Sequence, residues 1–412
     1  MIPNSKLSSV LLVLLANHVH GFTSPIYGFP SSFFLGRGTL LQSSDTDIAT
    51  AVPGESSSAA DDTTNHQENR EPGQSIRAPL KFMGPYPCLG LKFPNLATPS
   101  QRQRSVSGIS LDFVLDTAAN INTMNGPVAQ ELGLEVVGQA LPGVTAGGTM
   151  NGAPTYMLGD CELEGLPKEE QFIFMQNLTA SALPVASPAA AGLLSLSFLY
   201  SFEGGVEFQW NDQTQDGGPP PSVTFYGEGE SDAILKEMTK VAIKELPITR
   251  LPSVEITING VTIPALLDTG SPITVINAQA AEQAGIKTIE PSGAKSEGGG
   301  NLLAKIAGTF GQAQATAQAA ARGDILTIAG SNGERIDLLK SKSDVNVEIV
   351  GTDENGDSVD FGTSKIYVGN IPGLAALNAL GDNSPPAAVL GMDVLRKRSN
   401  MIFKARDSEV YF

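Results

Sequence analysis

Short apolar runs, separated by turn-forming residues, occupy most of the chain beyond about residue 78. The sequence is rich in turn residues, with 44 glycines and 27 prolines among 412 residues. Runs of this kind favour a β-rich fold over a helical bundle. Because domains usually hold roughly 100–200 residues, the length predicts two domains and an extension.

One stretch of the chain is repeated. Residues 112–134 align without a gap with residues 264–286. Seven residues of the first copy are identical in the second: Leu115, Asp116, Thr117, Ile121, Asn125, Ala129 and Gly133. Each copy predicts an apolar strand that ends at Asp-Thr, a turn of small residues, a second short strand and a brief helix.

A second block also recurs, since residues 191–199 resemble residues 387–395. Asp116 and Ser195 are 79 positions apart, whereas Asp268 and Gly391 are 123 apart, so the second copy carries about 44 extra residues. We expect them as a surface insertion at about 298–364. The repeat therefore predicts a first lobe at 78–235 and a second lobe at 236–412.

The two Asp-Thr turns and the later apolar blocks resemble the aspartic peptidases of the retropepsin and pepsin families. The resemblance covers the chain from about residue 78 to its end. It implies an all-β-dominated fold of two related lobes with a pseudo-twofold axis, a ψ-loop in each lobe and a cleft between them. The first copy departs from the family pattern at Ala118 and Ala119, and at Ser195, where glycine is usual.

Carboxylates are the side chains expected to carry any chemistry. The three histidines, at positions 18, 20 and 66, precede the predicted lobes, which excludes a catalytic imidazole there. The resemblance implies that Asp116 and Asp268 form a catalytic pair that shares one proton and activates a water molecule.

The resemblance also implies supporting roles around this pair. Thr117 and Thr269 are expected to hydrogen-bond across the pseudo-twofold axis, and Ser271 to hydrogen-bond the neighbouring aspartate. Ala118 and Gly270 occupy equivalent positions in the two loops. No metal or cofactor is expected, because Cys88, Cys161 and carboxylates are a poor ligand set.

A glycine-rich stretch between residues 142 and 152 is the candidate substrate-binding flap of the first lobe. Its central residues are Ala146, Gly147, Gly148 and Thr149. An ordinary flexible loop is the alternative interpretation. In the second lobe the flap is expected within residues 291–304.

The N-terminal segment has the pattern of a targeting sequence. Lys6 precedes an apolar run from Val10 to Ala16, which predicts a signal peptide over residues 1–21. Residues 22–77 are expected to form a transit segment, pro-segment or disordered linker. The acid-free, serine-rich start of that segment resembles a presequence for complex plastids, and a plain secretory signal is the alternative.

Charge and cysteine content limit the partners. The formal net charge of −17 argues against nucleic acid, which needs clustered basic residues. The two cysteines either pair or remain buried free thiols, and a free thiol is the favoured interpretation for Cys161.

Three functions fit the sequence. The preferred function is an endopeptidase that acts on a polypeptide substrate. A monomer is sufficient for this activity, and no membrane span is expected in the mature protein. The second is a catalytically inactive peptide-binding protein of the same fold, and the third is a structural scaffold whose insertion recruits a partner.

Overall fold

The computed structural model describes residues 16–17, 75–105, 107–145, 148–150, 152–183, 190–210, 219–246, 249–289, 320, 322–329, 335–352, 357–371, 374 and 385–412. Apart from the short strand at Ala16–Asn17, the predicted signal peptide lies outside these residues. Most of the predicted linker also lies outside them. The signal-peptide and linker predictions therefore stay predictions.

The described residues are mostly β-strands. The first half of the chain contains β1 (Ala16–Asn17), β2 (Ile76–Met83), β3 (Tyr86–Phe93), β4 (Ile109–Leu115), β5 (Thr123–Met124), β6 (Val136–Gln139), β7 (Gly143–Thr145), β8 (Gly148–Met150), β9 (Pro154–Leu163), β10 (Met175–Ala182), β11 (Gly192–Leu194), β12 (Gly205–Gln209) and β13 (Ser222–Tyr226).

The second half contains β14 (Lys240–Ala242), β15 (Lys244–Glu245), β16 (Pro252–Ile258), β17 (Val261–Leu267), β18 (Val275–Ile276), β19 (Ile325–Ala329), β20 (Arg335–Lys340), β21 (Val345–Ile349), β22 (Val359–Ser364), β23 (Tyr367–Val368), β24 (Ala388–Leu390), β25 (Asn400–Lys404) and β26 (Glu409–Tyr411). The helices are short: α1 (Pro99–Gln103), α2 (Gly126–Leu132), α3 (Leu196–Leu199), α4 (Asp232–Leu235), α5 (Ala278–Gln283) and α6 (Met392–Leu395), with a 3₁₀ turn at Lys168–Glu170.

The two sequence copies fold in the same way. In the first lobe, β11 pairs parallel with β4 and antiparallel with β5. In the second lobe, β24 pairs parallel with β17 and antiparallel with β18. Each later apolar block thus passes between the two strands that flank an Asp-Thr turn. The predicted all-β, two-lobed fold with a ψ-shaped arrangement in each lobe is confirmed.

The lobes are joined by strands that cross the predicted boundary. One 13-stranded sheet contains the run β14-β26-β25-β12-β13-β2. Within it, β25 from the end of the chain pairs antiparallel with β12 of the first lobe. The last strands of the second half therefore complete a sheet that begins in the first lobe.

The core of the first lobe contains a cluster of phenylalanines. The rings of Phe202 and Phe225 lie 4.4 Å apart between centroids, and those of Phe174 and Phe225 lie 5.0 Å apart. Phe198 packs edge-on to Phe225 at 5.9 Å. Because Phe225 lies on β13, this cluster anchors the shared sheet to the first-lobe core.

The expected surface insertion at 298–364 is wrong for its C-terminal part. Strands β21 and β22 lie there, and Val347, Ile349 and Phe361 are buried. In the first lobe, β9 alone pairs with both β10 and β3. In the second lobe, β20 pairs with β23 and β21 pairs with β16. Strands β20 and β21 of the second lobe thus take the place of β9 of the first lobe, and both belong to the fold.

Both cysteines are free and buried, as the free-thiol reading predicts. Burial raises the pKa of the Cys88 and Cys161 thiols to about 12, so both thiols are neutral at physiological pH. Among the helices that the structure describes, none is long and apolar enough to cross a membrane.

Replacing Phe225 by alanine is expected to lower the free energy of unfolding by about 3–5 kcal/mol, because it leaves a cavity within the phenylalanine cluster. Chemical denaturation would measure the change. Ile234→Ala is the control, since Ile234 is 38% exposed, and a surface change of this kind alters stability by about 0.5 kcal/mol or less. Equal effects of the two variants would contradict the assignment of Phe225 to the core.

Candidate active site

Each predicted catalytic aspartate directly follows a central strand. Asp116 follows β4 and donates its backbone N–H to Leu194 O at 2.8 Å. Asp268 follows β17 and donates its N–H to Leu390 O at 3.1 Å. Both acceptors end the strands that pass behind the turns, so each aspartate is held against its own ψ-loop. Both aspartates are buried, with 2% and 1% of their surfaces exposed.

The threonines that follow the aspartates tie the two lobes together. Thr117 Oγ1 donates to Leu267 O at 2.6 Å, and Thr269 Oγ1 donates to Leu115 O at 2.7 Å. The N–H of each threonine donates to the hydroxyl oxygen of the other at 3.1 Å. Since the two accepting leucines immediately precede the aspartates, these four reciprocal hydrogen bonds bring the Asp-Thr turns together.

The carboxyl group of Asp116 reaches the loop of the other lobe. It packs so closely on Gly270 that a β-carbon there would lie 2.5 Å from Asp116 Cγ. A side chain at position 270 is therefore excluded unless Asp116 moves. The carboxyl groups of Asp116 and Asp268 are close enough for each to shift the pKa of the other. The structure thus brings together the two carboxylates that the sequence singles out.

Burial raises the pKa of both carboxyl groups, because an ionised carboxylate loses its hydration there. The negative charge of Asp116 raises the pKa of Asp268 further. The Ala118 N–H donates to Asp116 Oδ1 at 2.8 Å, and this hydrogen bond lowers the pKa of Asp116. The two carboxyl groups therefore titrate as a coupled pair, and the state with both groups ionised is disfavoured.

Asp268 has fewer donors than its partner. Within the described part of the chain, neither of its carboxyl oxygens receives an N–H or O–H donor in hydrogen-bond geometry. The N–H groups of Gly270 and Ser271 are near enough to lower its pKa, but by less than burial and Asp116 raise it. The raised pKa of Asp268 favours its protonated form.

The hydroxyl group of Ser271 does not donate to the carboxyl group of Asp268. It donates to Ile273 O at 2.7 Å, so the expectation that this hydroxyl would hydrogen-bond the neighbouring aspartate is wrong. Ser271 is fully buried at the start of a tight turn. Its hydroxyl instead satisfies a carbonyl group two residues further along the same loop.

Ser195 forms hydrogen bonds with Asn122, a residue that no motif in the sequence singles out. In the second lobe, a β-carbon at Gly391 would lie 2.5 Å from the carbonyl carbon of Ile273, and the Gly391 N–H donates to Thr274 Oγ1 at 3.1 Å. In the first lobe, the N–H and hydroxyl of Ser195 both donate to Asn122 Oδ1, at 3.0 and 3.1 Å. Asn122 occupies the repeat position of Thr274, and comparing the two copies there is the signal that finds it.

The candidate flap of the first lobe contains a β-hairpin. Strand β7 pairs antiparallel with β8, with Thr145 opposite Gly148 and Val144 opposite Thr149. Ala146 and Gly147 lie outside the described residues, as does the expected second-lobe flap at 291–304. Strand β1 adds to the free edge of β7. The backbone of a hairpin is therefore present where the flap is expected, and its role in binding stays a prediction.

A family model for aspartyl proteases matches residues 103–198 and 254–309. Each matched segment contains one Asp-Thr turn, so the match supports the expected similarity to aspartic peptidases in both copies. No curated protein matches the sequence. Among solved structures, a basic 7S globulin from soybean is 11% identical, with a TM-score of 0.42, covering 83% of this chain and 96% of its own.

Two further structures are similar to the chain. Conglutin gamma, a basic 7S globulin from lupine seeds, is 10% identical, with a TM-score of 0.40, covering 82% of this chain and 95% of its own. The protein named edgp is 10% identical, with a TM-score of 0.39, covering 84% of this chain and 96% of its own.

Thr117→Val is expected to lower the free energy of unfolding by about 2–4 kcal/mol, because it leaves Thr269 N–H and Leu267 O buried without a partner. Thr117→Ser is the matched control, since it keeps the hydroxyl and loses one methyl group, at a cost of about 1 kcal/mol. Thermal or urea unfolding would distinguish the two variants. A valine variant as stable as the serine variant would show that the reciprocal bonds contribute little.

Proposed function

We propose that the protein is an aspartic endopeptidase that hydrolyses peptide bonds with a water molecule activated by Asp116 and Asp268. The observation that supports the proposal is the burial of two carboxyl groups that directly follow two strands tied together by hydrogen bonds. Two such groups cannot both ionise, which makes one a base and the other an acid. The match of both Asp-Thr segments to a family model for aspartyl proteases supports the same chemistry.

The environments of the two aspartates support an assignment of roles. Asp116 keeps the negative charge, which the Ala118 N–H stabilises, and acts as the base that takes a proton from water. Asp268 keeps the shared proton and gives it to the carbonyl oxygen of the substrate as the water oxygen bonds to the carbonyl carbon. When the tetrahedral intermediate collapses, the C–N bond breaks, the proton on Asp116 passes to the departing amine, and one hydroxyl group of the intermediate returns a proton to Asp268 as the new carbonyl group forms.

The activity requires one proton on the pair, which sets its pH range. Below the lower apparent pKa of the pair both carboxyl groups are protonated, and no base remains. Above the upper apparent pKa both are ionised, and no acid remains. Because burial raises the pKa of both groups, the active range extends above that of exposed carboxylates.

We assign a polypeptide in extended conformation as the substrate, bound along the cleft as an added strand beneath the β7–β8 hairpin. Both aspartates come from one chain, so a monomer is sufficient. We propose entry into the secretory pathway through residues 1–21. Delivery to a complex plastid is favoured over secretion, because residues 22–44 contain no acidic residue.

A catalytically inactive peptide-binding protein is the second candidate, and Ala118 favours it. Gly270, in the equivalent position of the second lobe, has no room for a β-carbon next to Asp116. Ala118 carries that methyl group in the loop that faces Asp268. If the methyl group holds Asp268 away from a productive position, the cleft binds peptides and does not cleave them.

Asp116→Asn and Asp268→Asn are each expected to lower kcat/KM on an unfolded protein substrate by about 100- to 10,000-fold, because each removes the acid or the base. The control is Asp112→Asn, because Asp112 lies on β4, the strand that precedes Asp116, but pairs with Lys81 at the surface. Circular dichroism would establish that all three variants fold. Folded asparagine variants that cleave as fast as the wild type would overturn the proposal.

Exchanging glycine and alanine at positions 118 and 270, one position at a time, distinguishes the peptidase from the inactive peptide-binding protein. Gly270→Ala is expected to lower kcat/KM by about 100-fold or more, because its methyl group displaces Asp116 from its position. Ala118→Gly is expected to keep kcat/KM within about threefold and to cost about 1 kcal/mol in stability, because glycine gains freedom in the unfolded chain. A gain of tenfold or more in Ala118→Gly would instead support an impaired first lobe.

A further inference from the structure

Tyr86 lies beside the candidate active site, although no motif singles it out. Strand β3 pairs with β4, with Cys88 opposite Val114. Continuing this register by two residues places Tyr86 level with Asp116, just beyond the end of β4. Tyr86 is 7% exposed, so its side chain is enclosed by protein at the edge of the Asp-Thr turn.

The packing around Tyr86 joins the aspartate loop to the candidate flap. Tyr86 belongs to a small buried cluster that is separate from the main core. The cluster includes Ala119 from the Asp116 loop and Ala153, which follows the β7–β8 hairpin. Leu183, at the end of β10, is also a member. The tyrosine therefore packs together with a residue of the Asp116 loop and with a residue that follows the hairpin.

The charges that act on the Tyr86 hydroxyl are those of the carboxyl pair. Burial raises the pKa of Tyr86 to about 12, with further contributions from Asp268 and then Asp116. Cys88, the nearest other ionisable residue on β3, donates its thiol to Tyr86 O at 3.6 Å. Because burial also raises the pKa of Cys88 to about 12, both groups are neutral while the carboxyl pair titrates.

The residue at the equivalent position of the second lobe has no hydroxyl group. Ser253 lies opposite Leu266 in the β16–β17 pair, and this is the repeat equivalent of Cys88 opposite Val114. The residue that corresponds to Tyr86 is therefore Leu251, which is fully buried. A neutral dipole stands near the carboxyl pair on the first-lobe side and an apolar side chain on the other.

We propose that Tyr86 is a positioning residue of the carboxyl pair, whose neutral hydroxyl supports the single negative charge of the pair from the first lobe alone. A hydroxyl dipole next to a carboxylate favours its ionised form. The hydroxyl therefore helps to keep the pair singly ionised as the pH falls. The consequence for catalysis rests on the proposed function, whereas the electrostatic coupling exists without turnover.

Tyr86→Phe tests this coupling, because it removes the hydroxyl and keeps the ring. Carbon-13 NMR of labelled aspartate carboxyl groups would follow the titration of the pair, with Asp116→Asn and Asp268→Asn assigning the signals. We expect the lower apparent pKa of the pair to rise by at least about half a unit, since the ionised form loses support. The acidic limb of the kcat/KM profile should shift upward by the same amount.

Tyr156→Phe is the matched control, because Tyr156 is 8% exposed in the same lobe but belongs to the main core cluster. It should leave the carboxyl titration unchanged. A Tyr86→Phe titration that superimposes on that of the wild type would overturn the proposal, even if turnover falls. A wild-type protein without peptidase activity at any pH would contradict the proposed function, and the carboxyl titration would still decide the role of Tyr86.

The reciprocal measurement does not depend on the phenylalanine variant. Ultraviolet difference titration of the tyrosines in Asp268→Asn should show the pKa of Tyr86 falling relative to wild type, because a negative charge near the hydroxyl is removed. Subtracting the same titration in the Tyr86→Phe background would identify its contribution, if that variant folds. Unchanged tyrosine titration in both asparagine variants would also overturn the proposal.

Discussion

The reciprocal hydrogen bonds between Thr117 and Thr269 are the constraint on which the rest of the site depends. Two buried carboxylates repel each other and lose hydration, so they do not stay together unless the backbone holds them. The threonines supply that hold through the carbonyl groups of Leu115 and Leu267, which immediately precede the aspartates. Neutral, fully buried groups thus hold the two carboxyl groups near each other despite the repulsion between their charges.

The two lobes use different residues at the point where the later apolar block passes behind the Asp-Thr turn. The second lobe uses Gly391 with Thr274, and the first uses Ser195 with Asn122. The longer amide side chain of Asn122 accepts both from the N–H and from the hydroxyl of Ser195. The departures from the family pattern in the first lobe are thus matched within it, and they leave the path of the backbone behind Asp116 equivalent to that behind Asp268.

The sequence alone predicts the fold class and the pair of aspartates, because both depend on local patterns that occur twice. Contacts between distant segments could not be predicted in the same way. The Asn122–Ser195 bond joins residues 73 positions apart, and the choice of Ile273 O as the acceptor of the Ser271 hydroxyl depends on the path of the folded loop. Buried strands β21 and β22 were hidden by the unequal spacing of the copies, and the place of Tyr86 depends on a strand register that no motif reveals.

The shared sheet has a consequence for how the chain is made. Strand β12 pairs with β25, whose residues lie almost 200 positions later. A ribosome releases the first lobe long before the C-terminal strands emerge, so the newly made lobe waits with an unpaired strand edge. Contacts this far apart in sequence slow folding. Completion of the native sheet is therefore a late event in folding, because it waits for the synthesis of β25.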